Sequence, residues 1–310
     1  MNVRPSGISF LGAPLALEPT AAQADFAFLG IPYGDPYDMR NVCPPAAEAP
    51  DAVRSASAEF AADLGNYDFD LGGPLFPDSS VRLVDCGDVP GDPRDLPGNL
   101  TRATEAVRAL VRHGIVPLVV GGDHAIPPLV VRALEGRGPV DVLHIDAHLD
   151  FRDEIGGVTG GFSSPIRRLR ELPWVRRIVQ VGLRGIGSAR PRDVDDARAA
   201  GNVLVTADEV HDRGVQWLAD LFPADEHVYM TIDVDGLDPS CAPGTLWPSP
   251  GGLTYAQVAT LVRALARKGE LAGVDVCEFA PARDVQGHTA GIITRLLMNA
   301  AGAAARRHAR

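Results

Sequence analysis

Three short apolar runs, residues 115–120 (IVPLVV), 140–145 (VDVLHI) and 228–232 (VYMTI), each stop where a polar block begins. The blocks are Gly-Gly-Asp-His at 121–124, Asp-Ala-His-Leu-Asp at 146–150 and Asp-Val-Asp at 233–235. Runs this short and this continuous fit strands of a parallel sheet buried on both faces. Side chains projecting from the carboxyl ends of such strands meet in the crevice where α/β proteins bind ligands. The rest of the chain repeats the pattern. Residues 25–31, 81–84, 177–181, 203–206 and 271–276 read as further strands. Helical spacing is found at 51–64, 99–113, 127–134, 191–200, 215–221, 255–267 and 289–307. This βαβα alternation predicts a three-layer α/β/α architecture with a mostly parallel central sheet. Residues 1–310 form one expected domain without a linker, with 1–20 loosely ordered and a turn at Asp85-Cys86-Gly87-Asp88 closing the second strand.

In chain order the blocks supply His124, Asp146, His148, Asp150, Asp233 and Asp235. Two imidazoles and four carboxylates are too many for one tetrahedral zinc and too acidic to bury without cations. They suit two adjacent divalent ions bridged by one or two Asp, and hence hydrolysis. A lone Asp-x-Asp is ordinary loop charge, and Gly-Gly after a strand is ordinary turn chemistry. Asp146, His148 and Asp150 are more specific, because residues i, i+2 and i+4 of an extended segment share one face.

Composition removes several classes. A net charge of −11 argues against nucleic acid as a partner. With 45% hydrophobic and 22% charged residues, the chain reads as neither disordered nor membrane-spanning. The amino end lacks the basic region and apolar stretch of a signal peptide, so a cytoplasmic location is expected. Cys43, Cys86, Cys241 and Cys277 are widely spaced and read as reduced, small apolar side chains. The basic end (Arg306, Arg307, His308, Arg310) reads as a solvated helix terminus.

The ordered set of GGDH, DAHxD, Thr-Ile-Asp-Val-Asp-Gly-Leu-Asp-Pro at 231–239 and Glu278 within Asp275-Val-Cys-Glu-Phe-Ala-Pro281 resembles the ureohydrolase family. That family includes arginase, agmatinase and guanidino-acid hydrolases. The resemblance runs from Gly30-Ile-Pro-Tyr33 to the last helix. It implies an arginase-like fold, two Mn2+ ions (Ni2+ in some relatives) and a homo-oligomer, trimer or hexamer. Carried over by residue, His124, Asp146, Asp150 and Asp233 would hold one ion. His148, Asp146, Asp233 and Asp235 would hold the other. Glu278 would grip the guanidinium by charge-assisted hydrogen bonds, and Asp150 would also pass a proton to the departing amine. Asp123, Asp238 and His144 are candidates for orienting the ligands, with His144 read first as a buried strand histidine.

Departures from the family carry information. Most members follow DAHxD with a His-Gly-x-Pro stretch whose His shuttles protons and touches substrate. Aligned on its proline, that stretch is Phe162-Ser163-Ser164-Pro165 here. A phenyl ring transfers no proton, and losing a general acid costs about 100-fold or more in rate. Asp150, water or His288 would then compensate, or Phe162 would stack on a planar cation. The Asn and Ser-Gly-Asn by which arginases hold an α-amino acid are missing, which argues against arginine. The loop Tyr33-Gly-Asp-Pro-Tyr-Asp-Met-Arg40 leads to Cys43-Pro44-Pro45 instead of the usual Gly-x-Arg-x-Gly-Pro. Asp153 and Glu154 are candidates for an ammonium tail, Arg152 for a carboxylate tail, and Trp247 for a pocket wall.

The expectation is therefore an agmatinase-like hydrolase that converts agmatine to putrescine plus urea. Its alternatives are a hydrolase of a guanidino acid (guanidinobutyrate or guanidinopropionate) or of guanidine or a biguanide. Phe162 motivates a reading from another class, a non-catalytic subunit of a hetero-oligomeric ureohydrolase. A two-metal phosphoesterase would want a Gly-Asn-His block, which this chain lacks.

Overall fold

Eight strands are hydrogen-bonded side by side, and every pairing is parallel. They are β1 (Phe26–Ile31), β2 (Leu83–Asp88), β3 (Val116–Gly121), β4 (Val140–Ile145), β5 (Val175–Leu183), β6 (Val203–Thr206), β7 (His227–Asp233) and β8 (Glu270–Cys277). The helices are α1 (Ala49–Ser57), α2 (Leu96–Arg112), α3 (Pro127–Arg132), α4 (Pro165–Arg170), α5 (Pro191–Ala199), α6 (Ala207–Arg213), α7 (Gln216–Ala219), α8 (Tyr255–Lys268) and α9 (His288–Arg307). This computed structural model describes residues 1–307 apart from 19, 21–22, 38–45 and 93. Cys43, the Cys-Pro-Pro stretch, most of the 38–45 loop's unusual residues, His308 and Arg310 therefore lie outside the described residues.

The sheet is buried on both faces, as its apolar runs require. Phe26 and Phe28 of β1 join one core with α1, α6, α7, α8 and α9. Ala27, Leu29 and Ile31 join a second core with α2, α3, α4 and α5. Alternate residues of one strand thus serve opposite layers, the period-2 consequence of a pleated strand. Strand order is β2-β1-β3-β8-β7-β4-β5-β6. The last two strands in sequence are inserted between β3 and β4, so the four strands that end in chemically active blocks become neighbours.

Several boundaries differ from expectation. The helix expected over 51–64 ends at Ser57 and gives way to a 3-10 turn at Ala58–Phe60. Two helices were not anticipated, α4 and α6. Thr206 caps α6, exchanging side-chain and backbone hydrogen bonds with Glu209, so strand passes to helix with no loop. The expected turn at 85–88 is strand. Its carboxylates are satisfied from below by a fully buried guanidinium, Arg54 Nε to Asp85 Oδ2 at 2.9 Å and Arg54 Nη1 to Asp88 Oδ1 at 2.8 Å. Gly87 at φ +72° lets the backbone pass the Arg4 carbonyl, where a Cβ would sit 2.0 Å away.

The amino end, expected to be loose, packs along β2. Phe10 and Leu11 are buried, the Phe10 N–H donates to Asp85 Oδ2 at 2.8 Å, and Arg4 exchanges backbone hydrogen bonds with Asp88. The basic helix end is not merely solvated either, because Arg306 donates to the carbonyls of Leu75 and Gly302. Among the described residues no helix is long and apolar enough to cross a membrane.

Candidate metal centre

Pairing register places Val120, Val276, Ile232 and Ile145 in one row across β3, β8, β7 and β4. Just beyond that row the four chains deliver His124, Glu278, Asp233 and Asp146. Two tight features hold the junction. The Glu278 N–H donates to the Gly122 carbonyl at 2.9 Å, and a Cβ on Gly122 would meet the Tyr33 backbone at 2.6 Å. Asp150 (φ +51°) and Glu278 (φ +61°) adopt left-handed backbone conformations that L side chains rarely take. Such strain, of order 1–3 kcal/mol per residue, persists where the surroundings over-determine it and gathers at functional sites.

The structure brings all six block residues together around Asp146. His124 Nδ1 lies 3.0 Å from Asp146 Oδ2, 3.1 Å from Asp150 Oδ2 and 3.3 Å from Asp233 Oδ2. His148 Nδ1 lies 3.0 Å from Asp235 Oδ2 and 3.4 Å from Asp146 Oδ1. Donor atoms of His124, His144, Asp146 and Asp150 fall within 4.8 Å of one another, as do those of Asp146, His148 and Asp235. Two donor clusters thus share one carboxylate, and Asp233 joins the first through His124. The donor chemistry fits two divalent ions. Asp146, Asp150, Asp233, Asp235 and Glu278 are all buried, and among the described residues none of them pairs with an arginine or lysine. Five buried acids whose described partners are imidazoles and backbone N–H groups need further positive charge.

A polar row of which sequence reading singled out only His144 lies beneath. Asp275, Thr231, His144 and Gln180 pair in register across β8, β7, β4 and β5, and all four are buried. Each sits two residues before a site-facing position or beside one that does, so the row shares the site's face of the sheet. Thr231 Oγ1 donates to Asp275 Oδ1 at 2.8 Å, so it accepts from His124 Nε2 at 2.9 Å. That leaves His124 Nδ1 to face the carboxylates. Gln180 Nε2 donates to His144 Nδ1 at 3.1 Å, so His144 Nε2 donates to Asp146 Oδ2 at 2.9 Å. Both His144 nitrogens are engaged within the protein, and burial lowers its pKa, which keeps it neutral. It is a buried strand histidine that also orients Asp146. Polar residues at alternate positions of apolar strands were the available signal.

Two candidates for orienting the ligands do something else. Asp123 is buried and accepts from the Ala125 N–H at 3.0 Å, with its carboxylate against Gly34. Burial pushes its pKa up to about 6. Asp238 accepts from the N–H groups of Ser240, Gly251 and Gly252 and organises a loop. Neighbours in sequence point away from the site because consecutive side chains diverge.

The electrostatics are those of a proton-filled cation site. Burial first, and neighbouring carboxylates second, push Asp150 up to about 7, Asp233 up to about 8 and Asp235 up to about 6. Burial acts to lower the His148 pKa, but hydrogen bonds to Asp146 and Asp235 win and raise it to about 12. These groups hold protons more tightly folded than unfolded, where Asp titrates near ~3.9 and His near ~6.5. Their stabilising contribution in the metal-free chain is therefore complete at low pH and is lost as pH rises through about 6, 7 and 8. Divalent cations compete with those same protons. The rise in Tm on adding Mn2+ over a chelated control is expected to be larger at pH 8 than at pH 6. Thermal melts at both values check this, and an equal or smaller rise at pH 8 would refute it.

Above the carboxylates lies a cavity of about 300 Å³. Its floor is His124, His148, Asp150, Asp233, Asp235 and Glu278, and its wall includes Phe162, Ile186 and Trp247. Glu278 is buried, and Oε1 accepts from the His124 N–H at 2.9 Å. Burial, then Asp233 and Asp123, raise its pKa well above the usual carboxylate range. Phe162 and Trp247 line the cavity as expected, whereas Arg152 and Asp153 do not. Arg152 donates to the Ser188 carbonyl at 2.8 Å and lies 3.6 Å from Asp193. Asp153 pairs with Arg168 at 3.0 Å and Arg167 at 3.3 Å, and the Glu154 carboxylate accepts from the Gly157 N–H. His288 is exposed at the start of α9, outside the cavity lining. Cys277 is buried and Cys241 half-buried, both as free thiols whose pKa burial raises.

Comparison with known proteins agrees with this geometry. A sequence profile described as the Arginase family matches residues 24–302. The chain is 34% identical over 311 residues to a mitochondrial agmatinase of Gallus gallus, covering 95% of this chain and 85% of that one. It is 35% identical over 297 residues to a guanidinopropionase of Pseudomonas aeruginosa, covering 91% and 86%. The solved proclavaminate amidino hydrolase from Streptomyces clavuligerus is similar at a TM-score of 0.86 and 30% identity, over 98% of this chain and 99% of that one.

Proposed function

The chain belongs to the arginase family, and from that premise we propose that it is a binuclear metal-dependent amidinohydrolase releasing urea from a guanidino compound. One observation carries the reading: the ends of β3, β4 and β7 gather five donor residues around Asp146, with Glu278 from the end of the adjacent β8 beside them on the floor of one cavity. His124, Asp146, Asp150 and Asp233 would hold one ion, and His148, Asp146, Asp233 and Asp235 the other. When bound, two such cations supply a water acidic enough to attack at neutral pH.

The side chains account for the rest of the reaction, R–NH–C(NH2)2+ plus water giving R–NH3+ plus urea. Glu278 takes the guanidinium through charge-assisted hydrogen bonds, and the arriving cation restores the charge that burial suppresses. That contact holds the carbon over the carboxylate floor. Asp150 would carry the proton from the attacking water to the departing nitrogen. Manganese as the ion, a trimeric or hexameric homo-oligomer and a cytoplasmic location belong to the same proposal and rest on the sequence resemblance.

The relatives are named for different substrates, agmatine and guanidinopropionate among them, so tail selection is a separate question. Agmatine is the substrate for which the Gallus gallus relative is named and the one the sequence resemblance favours; the cavity lining favours a different tail. The test is urea release by Mn2+-loaded and by Ni2+-loaded protein, with metal content measured in parallel. No urea from any guanidino compound, with two ions bound per chain, would favour the silent-subunit reading that Phe162 motivates. Phe162 lines the cavity 4.7 Å from the Tyr37 ring, at the position of the missing shuttle. Phe162→His is therefore expected to raise kcat on agmatine by roughly 10- to 100-fold, the usual size of a general acid's contribution. Steady-state rates decide: if kcat is unchanged or lower, position 162 is not where a shuttle is lacking.

A further inference from the structure

We propose that the substrate's tail is uncharged and apolar, seated against Phe162, Ile186 and Trp247 at the mouth of the cavity. This rests on the amidinohydrolase reading and adds what that reading leaves open.

Three observations lead there. First, two of the large apolar side chains the fold leaves exposed lie at this one mouth. Ile186 is fully exposed and Trp247 is 61% exposed, and both line the same cavity as Glu278. With Phe162 they are the three large apolar side chains lining the cavity that has the carboxylates as its floor. Second, the charged side chains nearest in sequence, Arg152, Asp153 and Glu154, lie outside the cavity lining. Arg152 is held by the Ser188 carbonyl and Asp193, and Asp153 by Arg167 and Arg168. Among the described residues, the lining beyond the floor adds only Ser163, Gly187 and Ser188 to the three apolar side chains, so it offers no counter-charge. Third, the rim is fixed in place. The Tyr37 ring packs tilted against Phe162, and its hydroxyl accepts from the Ser163 N–H at 2.8 Å. Arg184 ties the segment after Trp247 to the 3-10 turn that follows β7, donating to the Ser249 and Asp235 carbonyls at 2.6 Å each.

With the guanidinium on Glu278, a substituent on the departing nitrogen leads outward to this rim. An ammonium or carboxylate there would lose water without gaining a partner, whereas each methylene covered by the rim is worth roughly four-fold in affinity. A cation over the exposed Trp247 ring would recover only a small part of that loss.

The experiment compares n-pentylguanidine, agmatine and 4-guanidinobutyrate, chains of similar length ending in a methyl, an ammonium and a carboxylate. Guanidine serves as the tailless reference. With the metal-loaded full chain, kcat/KM for urea release from n-pentylguanidine is expected to exceed that for either charged compound by about 10-fold or more. Ile186→Asp, a change at a fully exposed position, should reverse the order in favour of agmatine, mainly through KM. A readout independent of turnover is tryptophan emission, which should shift to the blue on adding n-pentylguanidine and lose that shift in Trp247→Phe. If a charged compound is preferred and Ile186→Asp does not alter the order, the tail inference falls while the hydrolase reading stands. If Ile186→Asp instead changes the oligomeric state, the rim is covered by a second copy and the inference falls too. Silence from all four compounds with two ions bound overturns the hydrolase reading and this inference together.

Discussion

Replacing Asp146 with alanine is expected to lower urea release by at least about 10³-fold and to cut bound metal from two ions per chain to one or none. The size follows from where the carboxylate sits. Oδ2 lies 3.0 Å from His124 Nδ1, Oδ1 lies 3.4 Å from His148 Nδ1, and His144 donates to Oδ2 at 2.9 Å. Among the described residues no other carboxylate contacts both imidazoles, so its removal takes away the contact the two donor clusters share. Hydrogen bonds from three histidines outweigh burial and hold its pKa well below the usual range, making it the negative centre of the cluster. Elemental analysis beside steady-state rates provides the check. Two ions retained at near-normal rate would mean that the donor clusters do not share Asp146 as a bridge.

The six donor residues were readable from sequence for a specific reason. Each ends an apolar run, and in a parallel sheet the carboxyl end of a strand is where polar side chains can emerge without being buried unpaired. Strand order was not readable. Nothing local in residues 227–277 says that β7 and β8 insert between β3 and β4, although this insertion makes Glu278 a neighbour of His124. The supporting row was missed for a related cause. Thr231, Asp275 and Gln180 look like isolated polar residues in apolar strands, and only register aligns them with His144. Proximity in sequence also misled. Asp123 and Asp238 adjoin site blocks, but their side chains serve Ala125 and the loop at 251–252. Arg152 and Asp153 follow Asp150 by two and three residues, yet their ion-pair partners lie on α5 and α4, of which α4 was not anticipated. The 85–88 segment is the same lesson for fold. Asp-Cys-Gly-Asp has the composition of a turn, and it is strand because Arg54, some thirty residues earlier, neutralises it.

Glu278→Gln is expected to lower kcat/KM by roughly 100- to 1,000-fold while two metal ions stay bound, because a hydrogen-bonded charge partner to a guanidinium is worth ~2–5 kcal/mol. The substitution is close to isosteric. A Gln oxygen can still accept from the His124 N–H, as Glu278 Oε1 does at 2.9 Å, so the junction between β8 and the Gly-Gly-Asp-His turn is preserved. What changes is the far end of the side chain. There an N–H2 replaces an acceptor and meets the N–H groups of the guanidinium with like polarity. Stability should move in the opposite direction. Glu278 is buried without a cationic partner, and its pKa is raised well above the usual range by burial, Asp233 and Asp123. Its ionised form therefore costs the metal-free fold stability that increases as pH climbs above the ordinary Glu value, and the neutral amide escapes that cost. The variant should melt no lower than the parent at pH 8 while losing activity, a combination that a damaged fold cannot produce. A lower melting temperature with proportionate loss of metal would assign Glu278 to the framework and leave the guanidinium without its holder.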